Sequence, residues 1–198
     1  MYKKCKTAPS ITRQREVETV FLKLLNASSY EELTVCEICK QAKIPRKAFY
    51  RYFDGKEGLL KALIEHTLQG YQEYYKNLKR ERRTLKGELE CYFSFWLVEP
   101  QLTFLKVIIG NSLVGHLLKA SQGTSIIDSS IGEKFLPNET EKMRSQIFNF
   151  AISGLMTLMI EWFNGGHKEQ PSEIAEIACS LIQEPLFPNL DKVGIYTN

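Results

Sequence analysis

Apolar residues recur at helical spacing along most of the chain, and no segment keeps the strict alternation of a half-buried strand. Near the N-terminus, Val17, Val20, Phe21, Leu24 and Leu25 fall at positions i, i+3, i+4, i+7 and i+8, so one face of a first helix is apolar. The pattern predicts an all-α fold.

Two short helices joined by a tight turn are predicted next. Thr34-x-x-Glu37 is a capping box, in which each side chain accepts a hydrogen bond from a backbone N–H of the other residue, and it begins a second helix. Residues 42–44 leave room only for a tight turn. Pro45 suits the first position of a third helix, where a missing N–H costs nothing. Residues 54–57 form a further cap and begin a fourth helix, so the first seventy residues predict four helices.

The pattern beyond residue 80 is coarser and again helical, with breaks at proline and glycine. The predicted elements are a helix over residues 85–98, one or two helices over residues 101–120 with a break at Gly110 or Gly115, a loop over residues 121–138, a long helix over residues 140–164 ended by Gly165-Gly166, and a last helix over residues 172–183.

Charge is distributed unevenly between the two parts of the chain. Residues 1–60 carry 12 Lys+Arg against 7 Asp+Glu, a net +5, whereas the other 138 residues carry 14 against 16, a net −2. A basic head on a near-neutral body favours a polyanionic partner for the head alone. The alternative is a charged face that is simply solvated.

Cysteine usage and hydropathy predict a cytoplasmic location. Five scattered cysteines in a chain without a secretory signal favour reduced thiols. The apolar stretch of residues 147–160 is shorter than the roughly 18 residues that a membrane span needs, so no membrane partner is expected. If the polyanionic partner of the basic head is DNA, the protein would be associated with the nucleoid.

The two short helices match the arrangement of a helix-turn-helix, in which the second helix enters the major groove of DNA. Arg46 and Lys47 can donate to guanine, and the small Ala48 can contact a thymine methyl group. The Tyr50 hydroxyl suits a phosphate. Phe49 and Phe53 are expected in the core.

Residues 24–60 resemble the DNA-binding domain of TetR-family transcriptional repressors. The matching features are Thr34-Val35-x-x-Ile38, Tyr50-x-Tyr52-Phe53 and Lys56-Glu57-x-Leu59, with no gap between them. The resemblance implies a three-helix DNA-binding domain over residues 1–55 and a helical ligand-sensing and dimerisation domain over residues 56–198. It implies base contacts by Arg46, Lys47 and Ala48, and phosphate contacts by Thr34, Tyr50, Tyr52 and Lys56.

Two positions depart from the family pattern. Lys43 stands where the turn usually has glycine, so we expect a non-glycine residue at positive φ, at a cost of about 1 kcal/mol. Pro45 replaces a residue that would bring a hydroxyl to the helix N-terminus.

The last two helices resemble the pair that joins two TetR-family subunits into a homodimer through a four-helix interface. The alternative is that both helices belong to the core of one chain. The residues expected at the interface are Ser153, Gly154, Leu155, Trp162, Ile174, Ile177, Ala178 and Leu181.

Between the head and these helices the family encloses a small-molecule effector, and an aromatic lining with a few polar groups suits a largely apolar ligand. For each aromatic residue the alternative is ordinary core packing. The expected lining residues are Tyr71, Phe93, Trp96, Phe104, His116 and Glu161.

Cys36-x-x-Cys39 is the remaining motif with chemical potential. No second CxxC pair or closely spaced histidine pair completes a zinc site, so no metal and no cofactor are expected, and a structural role is favoured over a thiol switch. No phosphate loop or nucleophile motif indicates an enzyme.

The sequence thus predicts a repressor that binds a palindromic operator as a homodimer and is released by a small-molecule effector. Three points stay open: the effector and operator, whether the effector releases or promotes DNA binding, and whether the body senses a protein instead. A helical enzyme or carrier with a vestigial head is the other alternative.

Overall fold

The structure, a computed structural model, describes residues 1–77, 84–123 and 136–183. These residues are mostly helical, and they contain no strand beyond one isolated bridge between Tyr2 and Phe53. The described helices are α1 (Ala8–Leu25), α2 (Val35–Gln41), α3 (Arg46–Tyr52), α4 (Gly55–Asn77), α5 (Leu85–Trp96), α6 (Gln101–Gly110), α7 (Val114–Gly123), α8 (Glu141–Asn164) and α9 (Pro171–Gln183).

The head is built from α1, α2, α3 and the beginning of α4. The apolar stripe of α1 turns inward, and Val17, Phe21 and Leu25 are buried. Phe49 of α3 and Phe53 at its C-terminal end belong to the same buried cluster. The centroids of these two phenyl rings lie 5.2 Å apart. Each such side chain contributes about 1.5–3 kcal/mol on burial, so these few residues fix two short helices that would not be stable alone.

The body is built around α5, which packs most extensively against α9 and also contacts α4 and α6. Helix α7 lies between α4 and α8. Phe93, Trp96, Phe104, Met159 and Ile174 are buried where these helices meet. One continuous apolar core therefore reaches from the head into the body.

Helix α4 and the end of α6 connect the head to the body. Helix α4 contacts α1 in the head and α5 and α7 in the body, while α6 also contacts α1. A displacement of α4 or α6 would therefore be transmitted to the head.

The structure decides between two predicted positions of the break after residue 101, and it differs from the predicted start of the following loop. The break after residue 101 falls at Gly110, as one of the two alternatives had it, and Ser112 there has φ +56°. The predicted loop over residues 121–138 was wrong at its start, because α7 continues to Gly123. Residues 124–135 of that loop lie outside the described residues.

Helix α8 is unusually apolar for its exposure. Among the described helices it is the one that has, by itself, the length and hydropathy to cross a membrane, and α5 with α6 would qualify only as a pair bent by 77°. Only 17% of its apolar window is buried within the chain. Much of α8 therefore presents apolar side chains to its surroundings.

Candidate nucleic-acid interface

The capping box at Thr34 fixes the start of α2. The Thr34 hydroxyl oxygen accepts a hydrogen bond from the Glu37 N–H at 3.2 Å, and the Glu37 carboxylate accepts from the Thr34 N–H at 2.8 Å. The Thr34 hydroxyl also donates to that carboxylate at 2.7 Å. These bonds lower the pKa of Glu37. The predicted capping box is confirmed.

The turn between α2 and α3 has the expected strained residue. Lys43 adopts φ +52°, and the following Ile44 N–H donates to the Cys39 carbonyl at 3.0 Å. Pro45 lies one position earlier than predicted, because it is the N-cap of α3 and Arg46 is the first helical residue. The Pro45 carbonyl accepts from the Ala48 and Phe49 N–H groups, so its missing hydroxyl is replaced by backbone contacts alone.

Helix α3 buries one side and exposes the other. Phe49 is fully buried, whereas Arg46, Lys47 and Tyr50 are exposed and Ala48 is half-buried. Thus the aromatic anchor holds the helix while its basic N-terminal turn faces outward.

Arg46 and Tyr50, one helical turn apart, interact with each other. The nearby Tyr50 hydroxyl raises the pKa of the Arg46 guanidinium. Tyr50 is 52% exposed. A side chain expected to read bases and one expected to bind phosphate are thereby held together on the same exposed face.

Lys56, expected from the sequence only as a phosphate contact, also binds the loop between α1 and α2. Its ammonium donates to the carbonyls of Tyr30 at 2.5 Å and Glu31 at 3.3 Å, and it lies 4.3 Å from the centroid of the Tyr30 ring. It is half-buried, and an ammonium has three N–H donors. Two of these donors fix the loop between α1 and α2 through the carbonyls, and the third has no carbonyl partner among the described residues.

Cys39 and Cys36 differ in environment. Cys39 is buried, which raises the pKa of its thiol, and Cys36 is exposed. Within the described residues, no group of three or more histidine, cysteine or acidic side chains lies close enough to hold a metal ion.

In the body, the structure brings together four of the six residues expected around an effector. Trp96 stacks on Phe104 with centroids 6.2 Å apart, Phe93 meets Trp162 edge-on at 5.6 Å, and Tyr71 meets Phe95 edge-on at 5.2 Å. They form an aromatic cluster along α5.

His116 and Glu161 are not part of this cluster. Both side chains are exposed, on the outer faces of α7 and α8. Their polarity within apolar sequence fits the solvent-facing side of each helix, and the structure does not bring them to the aromatic cluster.

Two polar residues beside Tyr71 in the aromatic cluster, Glu88 and Tyr92, are not among the residues expected from the sequence. Burial raises the pKa of Tyr71, with further contributions from Cys91, Tyr92 and Glu88. Glu88, Tyr92 and Phe95 follow the spacing i, i+4, i+7, which places them on one face of α5. This spacing is the sequence signal that could have placed Glu88 and Tyr92 beside Phe95.

The residues expected at a dimer interface divide into two groups. Gly154, Ile177 and Leu181 are exposed, and Ser153 and Leu155 are half-buried. The other three are buried within the chain, because α9 packs on α5 and Trp162 of α8 meets Phe93 of α5 edge-on, and this burial fits the alternative of core packing within one chain. These three residues are Trp162, Ile174 and Ala178.

An exposed apolar face on α8 and α9 contains residues that sequence reasoning did not select. Met143, Ile147, Phe150 and Gly154 follow i, i+4, i+7 and i+11 along α8, and Phe150 is 74% exposed. We call these residues, together with Ile177, Leu181 and Ile182 of α9, the apolar face.

Two family models match the chain. The model of bacterial regulatory proteins of the tetR family matches residues 22–63, and a model of a transcriptional regulator C-terminal region matches residues 121–184. Together they match more than half of the chain. The chain belongs to the tetR family. This TetR-family protein is a DNA-binding transcriptional regulator with a helix-turn-helix, and its family is one of regulators and not of enzymes.

Curated relatives of this TetR-family chain match it over part of their length. The HTH-type dhaKLM operon transcriptional activator DhaS of Lactococcus lactis is 35% identical over 57 residues, which are 29% of this chain and 30% of DhaS. The nucleoid occlusion factor SlmA of Glaesserella parasuis is 30% identical over 114 residues, 54% of this chain and 56% of SlmA. The matches thus span 30% of DhaS and 56% of SlmA, so the chain covers well under two thirds of each relative.

Solved structures share the TetR-family fold at low sequence identity. The fatty acid degradation regulator FadR from Bacillus halodurans superposes with a TM-score of 0.59 at 16% identity, covering 92% of this chain and 98% of FadR. The dihydroxyacetone kinase operon activator DhaS gives 0.56 at 18%, covering 87% and 94%. A tetR-family regulator from Streptomyces coelicolor gives 0.54 at 19%, covering 86% and 78%.

Proposed function

We propose that this protein is a cytoplasmic repressor that binds an inverted-repeat operator as a homodimer and is released by a small-molecule effector. The observation that carries the DNA-binding part is the exposed basic first turn of α3, held outward by the buried Phe49. A rigid helix that presents its N-terminal residues is what major-groove recognition needs.

Arg46, Lys47 and Ala48 are the proposed base contacts. Arg46 and Lys47 are exposed, and a guanidinium bidentate to guanine contributes about 1–3 kcal/mol of discrimination. On binding, Arg46 turns from the Tyr50 hydroxyl to a base, and that hydroxyl is then available to a phosphate.

The proposed phosphate contacts are Thr34, Tyr50, Tyr52 and Lys56. Thr34 is exposed but its hydroxyl is shared with Glu37, so its contribution is through the N-terminal end of α2 as much as the side chain. Lys56 contributes its third N–H and positions the α1–α2 loop.

The apolar face is the proposed dimer interface. It places several large exposed apolar side chains on two helices that contact each other, and a monomer in water rarely exposes a large apolar patch. A two-fold axis through it would supply the second head that a palindromic site requires. The interface residues proposed are Ser153, Gly154, Leu155, Ile177 and Leu181 together with Met143, Ile147, Phe150 and Ile182.

The effector is proposed to bind at the aromatic cluster along α5. Tyr71, Phe93, Trp96 and Phe104 provide apolar surface, and the hydroxyls of Tyr71 and Tyr92 with the Glu88 carboxylate provide polar groups. A ligand that inserts there would displace α4 or α6, both of which contact the head, and so shift the spacing of the two heads.

Selection of bound fragments from a random DNA pool at about 150 mM salt tests the proposal. We expect an enriched inverted repeat whose half-site centres lie about one helical turn, roughly 34–36 Å, or a multiple of it, apart. Arg46→Ala should relax one base position in each half-site, whereas Arg51→Ala, another exposed cation of α3, serves as the matched control. Enrichment no better than random DNA would contradict the proposal.

Recognition of a partner protein instead of a small molecule has less support. Outside α8 and α9, Val98 is the one large apolar side chain of the described body that is exposed. A single exposed valine offers no docking surface of useful area.

A further inference from the structure

The first residues of the chain form a built part of the head. The Lys3 N–H donates to the Tyr52 carbonyl and the Asp54 N–H donates to the Met1 carbonyl, each at 2.9 Å, so this segment pairs antiparallel with the end of α3. The Gln14 side chain of α1 donates to the Lys3 carbonyl at 3.2 Å. We call residues 1–6 the N-terminal strap.

Side chains also anchor the strap. The Tyr2 hydroxyl donates to the Glu65 carboxylate of α4 at 2.7 Å, and the Tyr2 ring meets His66 edge-on with centroids 5.3 Å apart. His66 in turn contacts the buried Glu18 of α1 at 2.9 Å. The strap is therefore held by α1, α3 and α4 together.

Because Gly58 of α4 has no side chain, the backbone of the strap can lie directly against α4. A Cβ atom at this position of α4 would come within 2.3 Å of the Met1 carbonyl oxygen, a distance that real Cβ atoms do not show. Any larger residue at position 58 would force the strap away from α4.

The strap carries three lysines and no acidic residue, and its terminal ammonium pairs with the Asp54 carboxylate at 3.7 Å. Lys3, Lys4 and Lys6 are exposed, and none of them makes an ion pair with a residue that the structure describes. Their acidic neighbours are already engaged, Glu65 by Tyr2 and Glu18 by Arg15 and His66. The strap thus adds uncompensated positive charge beside Tyr52.

From this placement we propose that the N-terminal strap is a DNA-backbone contact, docked beside Tyr52 so that Lys3, Lys4 and Lys6 bind phosphates next to those reached by α3. The proposal rests on DNA binding by the head. Pairing with Tyr52–Asp54 holds the strap backbone in place before DNA arrives, so less ordering entropy is lost on binding than for a free basic tail.

The slope of log affinity against log salt concentration tests the strap directly. The full-length variant Lys3→Gln/Lys4→Gln/Lys6→Gln is compared with Lys119→Gln/Lys142→Gln/Lys168→Gln, which removes three exposed lysines from the body. Each phosphate contact contributes about 0.9 to the magnitude of this slope. The slope of the strap variant should therefore be smaller by about 2–5 units in the dimer. Its affinity for specific and random duplexes alike should fall at least about tenfold. The body variant should keep the wild-type slope.

Gly58→Ala tests whether docking matters, because it keeps every lysine and displaces the strap. We expect wild-type helicity by circular dichroism and a smaller salt slope. A wild-type slope for the lysine variant would overturn the proposal, and a wild-type slope for Gly58→Ala alone would overturn the docked strap in favour of a free tail. Failure of the wild-type protein to bind DNA would instead overturn the proposed function itself.

Discussion

Asn111, the residue that ends α6, accepts a hydrogen bond from the backbone N–H of Tyr30 at 2.6 Å. Asn111 belongs to the body, whereas Tyr30 lies in the loop between α1 and α2 of the head. The Asn111 amide also donates to the Leu25 carbonyl at the end of α1 and to the Val107 carbonyl of its own helix. One side chain thus joins the end of α6 to two points of the head.

The same loop is held from its other side by Lys56. The Tyr30 N–H bonds to Asn111 and the Tyr30 carbonyl accepts from the Lys56 ammonium, so Tyr30 stands between a body residue and a proposed phosphate contact. A movement of α6 that breaks the Asn111 bond would alter the position of Lys56 without any change in α3. Under the proposed function, these bonds give a physical route from the aromatic cluster to the proposed DNA-binding surface.

Asn111→Ala should weaken this connection. The Tyr30 N–H and the Leu25 carbonyl lose their partner, and leaving such groups unsatisfied costs about 1–3 kcal/mol, measurable by urea unfolding. DNA binding should also respond less to an effector. Asn164→Ala, at the exposed end of α8, is the control and should leave unfolding unchanged. Equal stability of the two variants would contradict a coupling role for Asn111.

Local features of the head could be predicted from sequence because neighbouring residues determine them. The Thr34–Glu37 box and the positive φ of Lys43 each depend on a few consecutive positions. The N-terminal strap could not, since residues 1–6 have no periodicity and their partners lie some fifty residues away.

The body shows why helix faces are harder to assign. An apolar stripe indicates that a face is covered but not by what. Trp162 of α8 and Ile174 of α9 are expected from the sequence against a partner chain. In the structure both side chains are buried, because α9 packs on α5 and Trp162 meets Phe93 of α5. Phe150 was overlooked although it continues the spacing of Met143 and Ile147, because its exposure depends on where α5 and α9 lie.

Lys56→Met removes the charge and keeps most of the apolar stem. Binding to all DNA sequences should weaken, and the salt slope should fall by about one unit per head. Because the ammonium also holds the carbonyls of Tyr30 and Glu31, the thermal midpoint should fall as well. Lys61→Met, an exposed lysine of the same helix, should change neither quantity appreciably. An unchanged slope would remove Lys56 from the proposed phosphate contacts.

The capping box predicts a pH dependence in acid. Hydrogen bonds from Thr34 lower the pKa of Glu37 below its ordinary 4.5, so the carboxylate stabilises the folded state at pH values above about 4.5. That contribution is lost as the pH falls through the lower pKa of the folded protein. Glu37→Gln should therefore have a lower thermal midpoint than wild type at pH 7, and the two midpoints should converge once the pH lies below the lowered pKa of Glu37. A gap that stays constant would show that the charge of Glu37 is not the stabilising feature.

Phe150→Asp should separate the two subunits of the proposed dimer. The Phe150 side chain is 74% exposed in one chain and lies midway along the apolar face, so a carboxylate there would be buried without a partner in the dimer. Sedimentation at micromolar concentration should give a monomer for Phe150→Asp and a dimer for the control Val98→Asp, which places the same charge on an exposed apolar residue outside α8 and α9. Operator affinity should fall at least about a hundredfold, because one head reads only one half-site, while the affinity for random DNA falls much less. A dimer that survives Phe150→Asp would place the interface elsewhere on the chain.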